Sequence, residues 1–156
     1  MNAYGSARNG LISRFFAVLL VGGSPTTMKA QTAPDPFGSW QGQVQWYATV
    51  GAKPDTAGHS VGRIALTVDP AGNVTITASD LGCTGLGIFS PGPMPVIKKL
   101  DVTLKGCSYD GYNRRFSGTL LLQEQGRQLQ VQLRAQNLDA RRTSAFYEVK
   151  GQLSRP

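Results

Sequence analysis

From Phe37 onward, apolar and polar residues alternate at every second position. This period of two marks strands with one face on a core and the other in water. In the first segment Trp40, Gly42, Val44, Trp46, Ala48 and Val50 share one face, and Gln41, Gln43, Gln45, Tyr47 and Thr49 share the other. After turn-forming residues 51–62, Ile64, Leu66 and Val68 alternate with Arg63, Ala65 and Thr67. Val74, Ile76 and Ala78 return beyond Asp69-Pro70-Ala71-Gly72-Asn73, where proline presets a turn and Gly and Asn accept positive φ, so the pattern predicts a hairpin. Residues 82–89 are glycine-rich and more weakly strand-like. They lead into the tip Ser90-Pro91-Gly92-Pro93-Met94-Pro95, where proline supplies no ladder donor.

The rhythm resumes with Leu100, Val102 and Leu104 between Lys99, Asp101, Thr103 and Lys105. A loop at 108–113 precedes Phe116, Gly118, Leu120 and Leu122, and a turn at Glu124-Gln125-Gly126 follows. Leu129, Val131, Leu133 and Ala135 then stand opposite Gln128, Gln130, Gln132 and Arg134. After a loop at 136–143, Tyr147, Val149, Gly151 and Leu153 form the last apolar face. Eight strands on hairpin-length connections, with no helix to cover a sheet, predict an all-β fold. The expected form is an eight-stranded antiparallel up-and-down barrel, because closure removes exposed edges; the alternative is a two-sheet β-sandwich.

The N-terminal 30 residues break this pattern. Arg8 and Arg14 precede a seven-residue apolar run, FFAVLLV, that is too short to span a bilayer and suits a secretory leader. Small residues place cleavage after Ala30 or after Gly23, with Ala30 preferred; the other reading is a short buried helix stopped by Gly22-Gly23-Ser24-Pro25. The expected organisation is a signal peptide at 1–30 and one β domain at 31–156, in the periplasm or secreted, with no stable membrane span. The formal charge of +7 includes Arg8, Arg14 and Lys29, and without them 13 basic residues face 9 acidic ones. The remaining doublets Lys98-Lys99, Arg114-Arg115 and Arg141-Arg142 are scattered and form no nucleic-acid-binding stripe. Cys83 and Cys107 are the only cysteines. In an oxidising compartment they most simply bond to each other, stapling the open end of the hairpin around the proline-rich tip, and otherwise they would be two buried thiols.

Gly38-Ser39-Trp40 at the head of the first strand resembles the Gly-x-Trp motif that opens the lipocalins and, more loosely, the avidin-type barrels. In those calycin-like families the tryptophan closes the barrel floor against an arginine from the last strand. The resemblance implies a lipocalin-like barrel with Arg155 lying on Trp40 by cation–π contact. It covers only the two ends of the domain. No Thr-Asp-x-Arg-like segment occurs late in the chain, and only Pro156 follows Arg155, so the C-terminal helix of lipocalins is not expected.

Catalytic chemistry is thinly represented. The single histidine, His59, follows Asp55 and precedes Ser60, which are hydrolase residue types without triad spacing. No ligand spacing suggests a metal, the carboxylates fall in turns or on outward positions, and no cofactor motif is present. The chain therefore reads as a non-enzyme. The loop containing Tyr109, Asp110, Tyr112, Arg114 and Arg115 has the composition of a recognition loop, with tyrosine anchors and arginines for carboxylates. The segment containing Ile88, Phe89 and Met94 either exposes an apolar contact next to the disulfide or plugs the barrel end. Candidate partner-binding residues are thus Phe89, Met94, Tyr109, Asp110, Tyr112, Arg114 and Arg115.

The leading expectation is an exported protein that docks loops onto a protein partner, as a periplasmic inhibitor or immunity-type protein would. One alternative is a carrier of a small apolar ligand, with Gly42, Ala48, Ala78, Gly118, Ala135 and Gly151 leaving room inside and Trp46 and Tyr147 lining the pocket. The other is an envelope structural subunit. The uncharged glutamine faces 41/43/45 and 128/130/132 read either as a partner surface or, preferred, as solvated sheet surface.

Overall fold

The computed structural model describes residues 35–138 and 144–156; the expected leader and the tip of the 136–143 loop lie outside the described residues. Nine strands form one antiparallel sheet: β1 (Gly38–Val50), β2 (Lys53–Pro54), β3 (Ser60–Val68), β4 (Asn73–Ala78), β5 (Cys83–Pro91), β6 (Ile97–Lys105), β7 (Arg115–Gln123), β8 (Gln128–Leu138) and β9 (Ser144–Ser154). Each long strand pairs with the next in sequence, and β9 pairs back onto β1 through ten residues, Gln41↔Ser154 to Val50↔Ala145. The protein is therefore a closed eight-stranded up-and-down barrel, with β2 added as a short strand on the end of β1. The sandwich alternative is excluded by the β1–β9 pairing.

Alternation decides which side chains enter the barrel. Val44, Trp46, Ile64, Leu66, Ile76, Val102, Phe116, Leu120, Val131, Leu133 and Val149 are all buried in one continuous core, while their odd-even neighbours face out. The β3–β4 turn forms as its residues require. Asp69 accepts from the backbone and side-chain amides of Asn73 (2.8 and 2.7 Å). Those hydrogen bonds hold the Asp69 carboxyl below its ordinary value.

Strand ends depart from expectation where the sequence loses its rhythm. β3 begins at Ser60, inside the expected loop, and β8 and β9 extend through Gln136↔Phe146 to Leu138↔Ser144. A ladder already set by its apolar pairs continues through polar residues, because backbone hydrogen bonds are indifferent to side chain.

Cys83 and Cys107 form the expected disulfide, with Cα atoms 4.2 Å apart, at the open end of the β5–β6 hairpin. The register sets Thr84 against Lys105, so the cysteines are one residue short of direct opposition. Gly106, at φ +72°, turns the chain in the left-handed region and brings Cys107 back to Cys83.

The inward glycines do not leave room for a ligand. A Cβ on Gly42 would meet the Gln152 carbonyl, one on Gly118 the Gln132 carbonyl, and one on Gly151 the Gln43 carbonyl. These positions let neighbouring backbones approach where the barrel coils tightly. The inward alanines Ala48, Ala78 and Ala135 are themselves buried in the packed core. Gly118→Ala is therefore expected to destabilise by about 1–3 kcal/mol through overpacking, measured by urea unfolding; Thr119→Ala, exposed on the outward side of the same strand, serves as the control.

Candidate functional site

The barrel has two unlike ends. At one, the head of β1 meets the C-terminus. The Arg155 guanidinium lies over the Trp40 ring at 4.4 Å and donates to the carbonyls of Phe37 (2.8 Å) and Asp35 (3.3 Å). The Trp40 indole donates to the Pro36 carbonyl at 2.7 Å. The contact implied by the Gly-x-Trp resemblance is present. Phe89 belongs to this end, half-buried with its ring 5.7 Å from that of Phe37, and so acts as packing. Met94, at the hairpin tip, is 52% exposed.

At the other end sit the disulfide, the β1–β3 loop and the loop between β6 and β7. The seven candidate partner-binding positions therefore do not form one surface: Phe89 and Met94 lie at the end opposite Tyr109, Asp110, Tyr112, Arg114 and Arg115. The expected placement of the apolar tip next to the disulfide is corrected by the length of the β5–β6 hairpin, which separates the two.

The loop-bearing end is built on aromatics packed edge to face and tilted. Tyr112 is only 1% exposed, with its ring 4.9 Å from Trp46, 5.0 Å from Tyr109 and 6.0 Å from Tyr147. Its hydroxyl donates to the carbonyl of Gly58. The expectation that Tyr112 offers itself to a partner is thus corrected, because its side chain plugs the barrel. Tyr109 is half-buried and donates its hydroxyl to the Asp55 carboxylate at 2.6 Å, which joins the two loops. Arg114 lies over the Tyr147 ring at 4.1 Å. Asn113 clamps the loop base, accepting from the Cys107 amide at 2.8 Å and donating to the Cys107 carbonyl at 3.2 Å.

What this frame leaves exposed is Ser108, Asp110, Asn113, Arg115 and, from the neighbouring loop, His59. Arg115 pairs with Asp101 at 3.3 Å on the open surface, a contact of small energetic weight. The His59 ring nitrogen lies 3.1 Å from the Ala48 carbonyl and its ring edges onto Tyr47. Ser60 contributes no hydroxyl to His59; its Oγ and the Trp46 Nε1 are buried without partners. No cluster of three or more His, Cys, Asp or Glu side chains occurs among the described residues. In the sequence Asp55 stands out as a catalytic or metal-ligand type and Tyr147 as a core-face residue, and their joint role in holding this loop is not visible there. No local signal reveals a bond between residues 54 positions apart.

Burial pushes the Tyr109 and Tyr112 phenols above their ordinary value, and for Tyr109 the hydrogen bond to Asp55 and that residue's charge push the same way. Both are raised in the folded state, so the unfolded chain loses these protons first. Their contribution to stability is intact below about pH 10 and is lost as the pH rises beyond that value. In alkaline titration followed by phenolate absorbance, Tyr109 and Tyr112 are expected to ionise after free tyrosine. Asp55→Asn is expected to advance Tyr109 most and Tyr112 less, because burial, the first cause for Tyr112, still delays it.

Cavities of about 160–470 Å³ lie on the outer surface, between outward side chains. The one that Trp46 lines measures about 260 Å³ and is bounded by Gln45, Tyr47, His59, Ser60 and Val61, without Tyr147. The chain matches no protein-family model, no curated protein and no solved structure.

Proposed function

We propose that this chain is an exported, non-catalytic binding protein that docks its loop-bearing end onto a protein partner, in the manner of an inhibitor or immunity-type protein of the periplasm or the extracellular space. The observation that supports this reading is the aromatic frame under the 108–114 loop. The edge-to-face ring cluster, the Tyr109–Asp55 bond and the Asn113 clamp hold Asp110, Asn113 and Arg115 outward before any partner arrives. A loop ordered in advance loses little entropy on binding, which is how small rigid modules gain affinity. The packed interior argues in the same direction, since a carrier needs a cavity where this barrel has side chains.

The test uses exposed residues, because Tyr112→Ala would open the core. The domain is immobilised and used to capture a partner from exported proteins of its own source. Asp110→Lys and Arg115→Glu are expected to reduce capture together by at least about tenfold, and Met94→Asp at the far end to leave it unchanged. Capture that survives both loop substitutions rejects this docking site.

A further inference from the structure

The closed topology joins surfaces that are separate in the sequence. β9 lies between β1 and β8, so outward Gln41, Gln43 and Gln45 share one face with Gln152, and that face continues through Gln128, Gln130 and Gln132 to Gln123 on β7. The amides are already organised. Gln123 donates to Gln130 at 3.2 Å, and Gln152 donates to Gln123 at 3.2 Å and also to Gln128. A groove of about 360 Å³ runs among Gln45, Gln123, Gln130, Lys150 and Gln152.

Across β1 lies a larger groove of about 470 Å³, lined by Gln41, Gln43, Arg63, Thr77, Ser79 and Ser154 among others. No carboxylate lines either groove. Arg63 makes no ion pair among the described residues, and the nearby Asp80 carboxylate is engaged by the Arg63 backbone amide at 2.9 Å. Lys150 is partly committed, 3.9 Å from Glu148 and 4.8 Å over the Tyr47 ring. Arg63 stands opposite Gln43 and Lys150 opposite Gln45, so the two cations flank the β1 glutamine row from either side.

Each element of this face has a chemical complement. A glutamine amide offers two donors and an acceptor, and a serine or threonine hydroxyl offers both roles, which suits a ligand dense in hydroxyl groups. An arginine without a carboxylate partner suits a carboxylate, which it can bind with two parallel hydrogen bonds. A fully charged polyanion is matched poorly, because neutral amides outnumber the cations and Glu148 sits on the same face, accepting from Gln132 at 2.8 Å and 3.9 Å from Lys150. We propose that the outer face of β1 and its neighbours binds a hydroxyl-rich, sparsely acidic polymer, namely a uronic-acid-containing polysaccharide. This surface is distinct from the loop-bearing end, so it stands or falls independently of the protein-docking reading.

Affinity electrophoresis of the intact protein tests it, in gels cast with polygalacturonate, with neutral dextran or with dextran sulfate. Polygalacturonate is expected to retard the protein and dextran to leave its mobility unchanged. Arg63→Ala and Gln43→Ala are each expected to weaken the polygalacturonate interaction by about tenfold. Lys105→Ala, an exposed cation on β6, four strands from β1 around the barrel, should leave it unchanged, and thermal melting confirms that each variant is folded. The proposal is overturned if polygalacturonate does not retard the protein. It is also overturned if dextran sulfate binds as well and Lys105→Ala weakens binding as much as Arg63→Ala, which is general attraction to a basic protein. A concentration-dependent dimer in sedimentation, abolished by Gln43→Glu, overturns it in favour of a second copy on this face.

Discussion

Trp40→Ala should lower the unfolding free energy by about 3–5 kcal/mol, read as a leftward shift of the urea midpoint with an unchanged slope. The indole is 1% exposed and fills the floor of the barrel, so its removal leaves a cavity that the surrounding β-strands cannot collapse into. It also strands the Pro36 carbonyl, which the indole N–H now satisfies. Arg155 loses its aromatic platform in the same substitution. Arg155→Ala alone should therefore be mild, about 1 kcal/mol or somewhat more for the cation–π contact and the carbonyl hydrogen bonds. In the Trp40→Ala background it should cost measurably less. That non-additivity, from a double-mutant cycle, would show that the two chain ends are latched through this one contact and not merely adjacent.

Opening the disulfide should have the second-largest effect. Cys83 and Cys107 are 24 positions apart, and closing a loop of that size restricts the unfolded chain by about 3.5 kcal/mol in the chain-entropy treatment. Cys83→Ser with Cys107→Ser is expected to destabilise by roughly that amount. The effect should also be local. Cys107 is the residue that Asn113 clamps, and that clamp holds the base of the aromatic loop. Amide exchange should therefore accelerate most from Gly106 to Arg114, while amides at the Trp40 end keep their ranking. Uniform acceleration across the barrel would mean that the bridge acts on the unfolded chain alone.

Much of the barrel is legible in the sequence, and the reason is physical. A period of two is imposed by the strand itself, so unbroken alternation from Trp40 to Ala48 and from Gln128 to Ala135 identifies both the strands and their buried faces. Val50, at the end of β1, is expected on the core face but is 40% exposed, because the strand there runs past the barrel rim. Closure is less local. It depends on β9 finding β1 some hundred residues away, and beyond the short connections that favour closure, its specific trace in the sequence is the pairing of Trp40 with Arg155 that the Gly-x-Trp resemblance implies.

The loop-bearing end carries no such period. Tyr112 lies in a 3₁₀ turn, Asp110–Tyr112, where there is no alternation to sort inside from outside, and its tyrosine composition suggested recognition when its side chain is core. Glycines at 42, 118 and 151 suggested room, because sequence shows a missing side chain but not the backbone that has moved into its place. The glutamine rows were visible one strand at a time. Only register shows that they join across β9 into one surface with Arg63 at its border.

Native mass spectrometry of the folded domain, purified from its own source without denaturation and then incubated with long-chain apolar ligands, tests most directly whether this barrel works from its outside. The expected spectrum holds only the polypeptide mass, two hydrogens lighter for the disulfide, with no adduct before or after incubation. A stoichiometric apolar adduct, retained in the folded state, would contradict a filled interior and return the protein to the carriers.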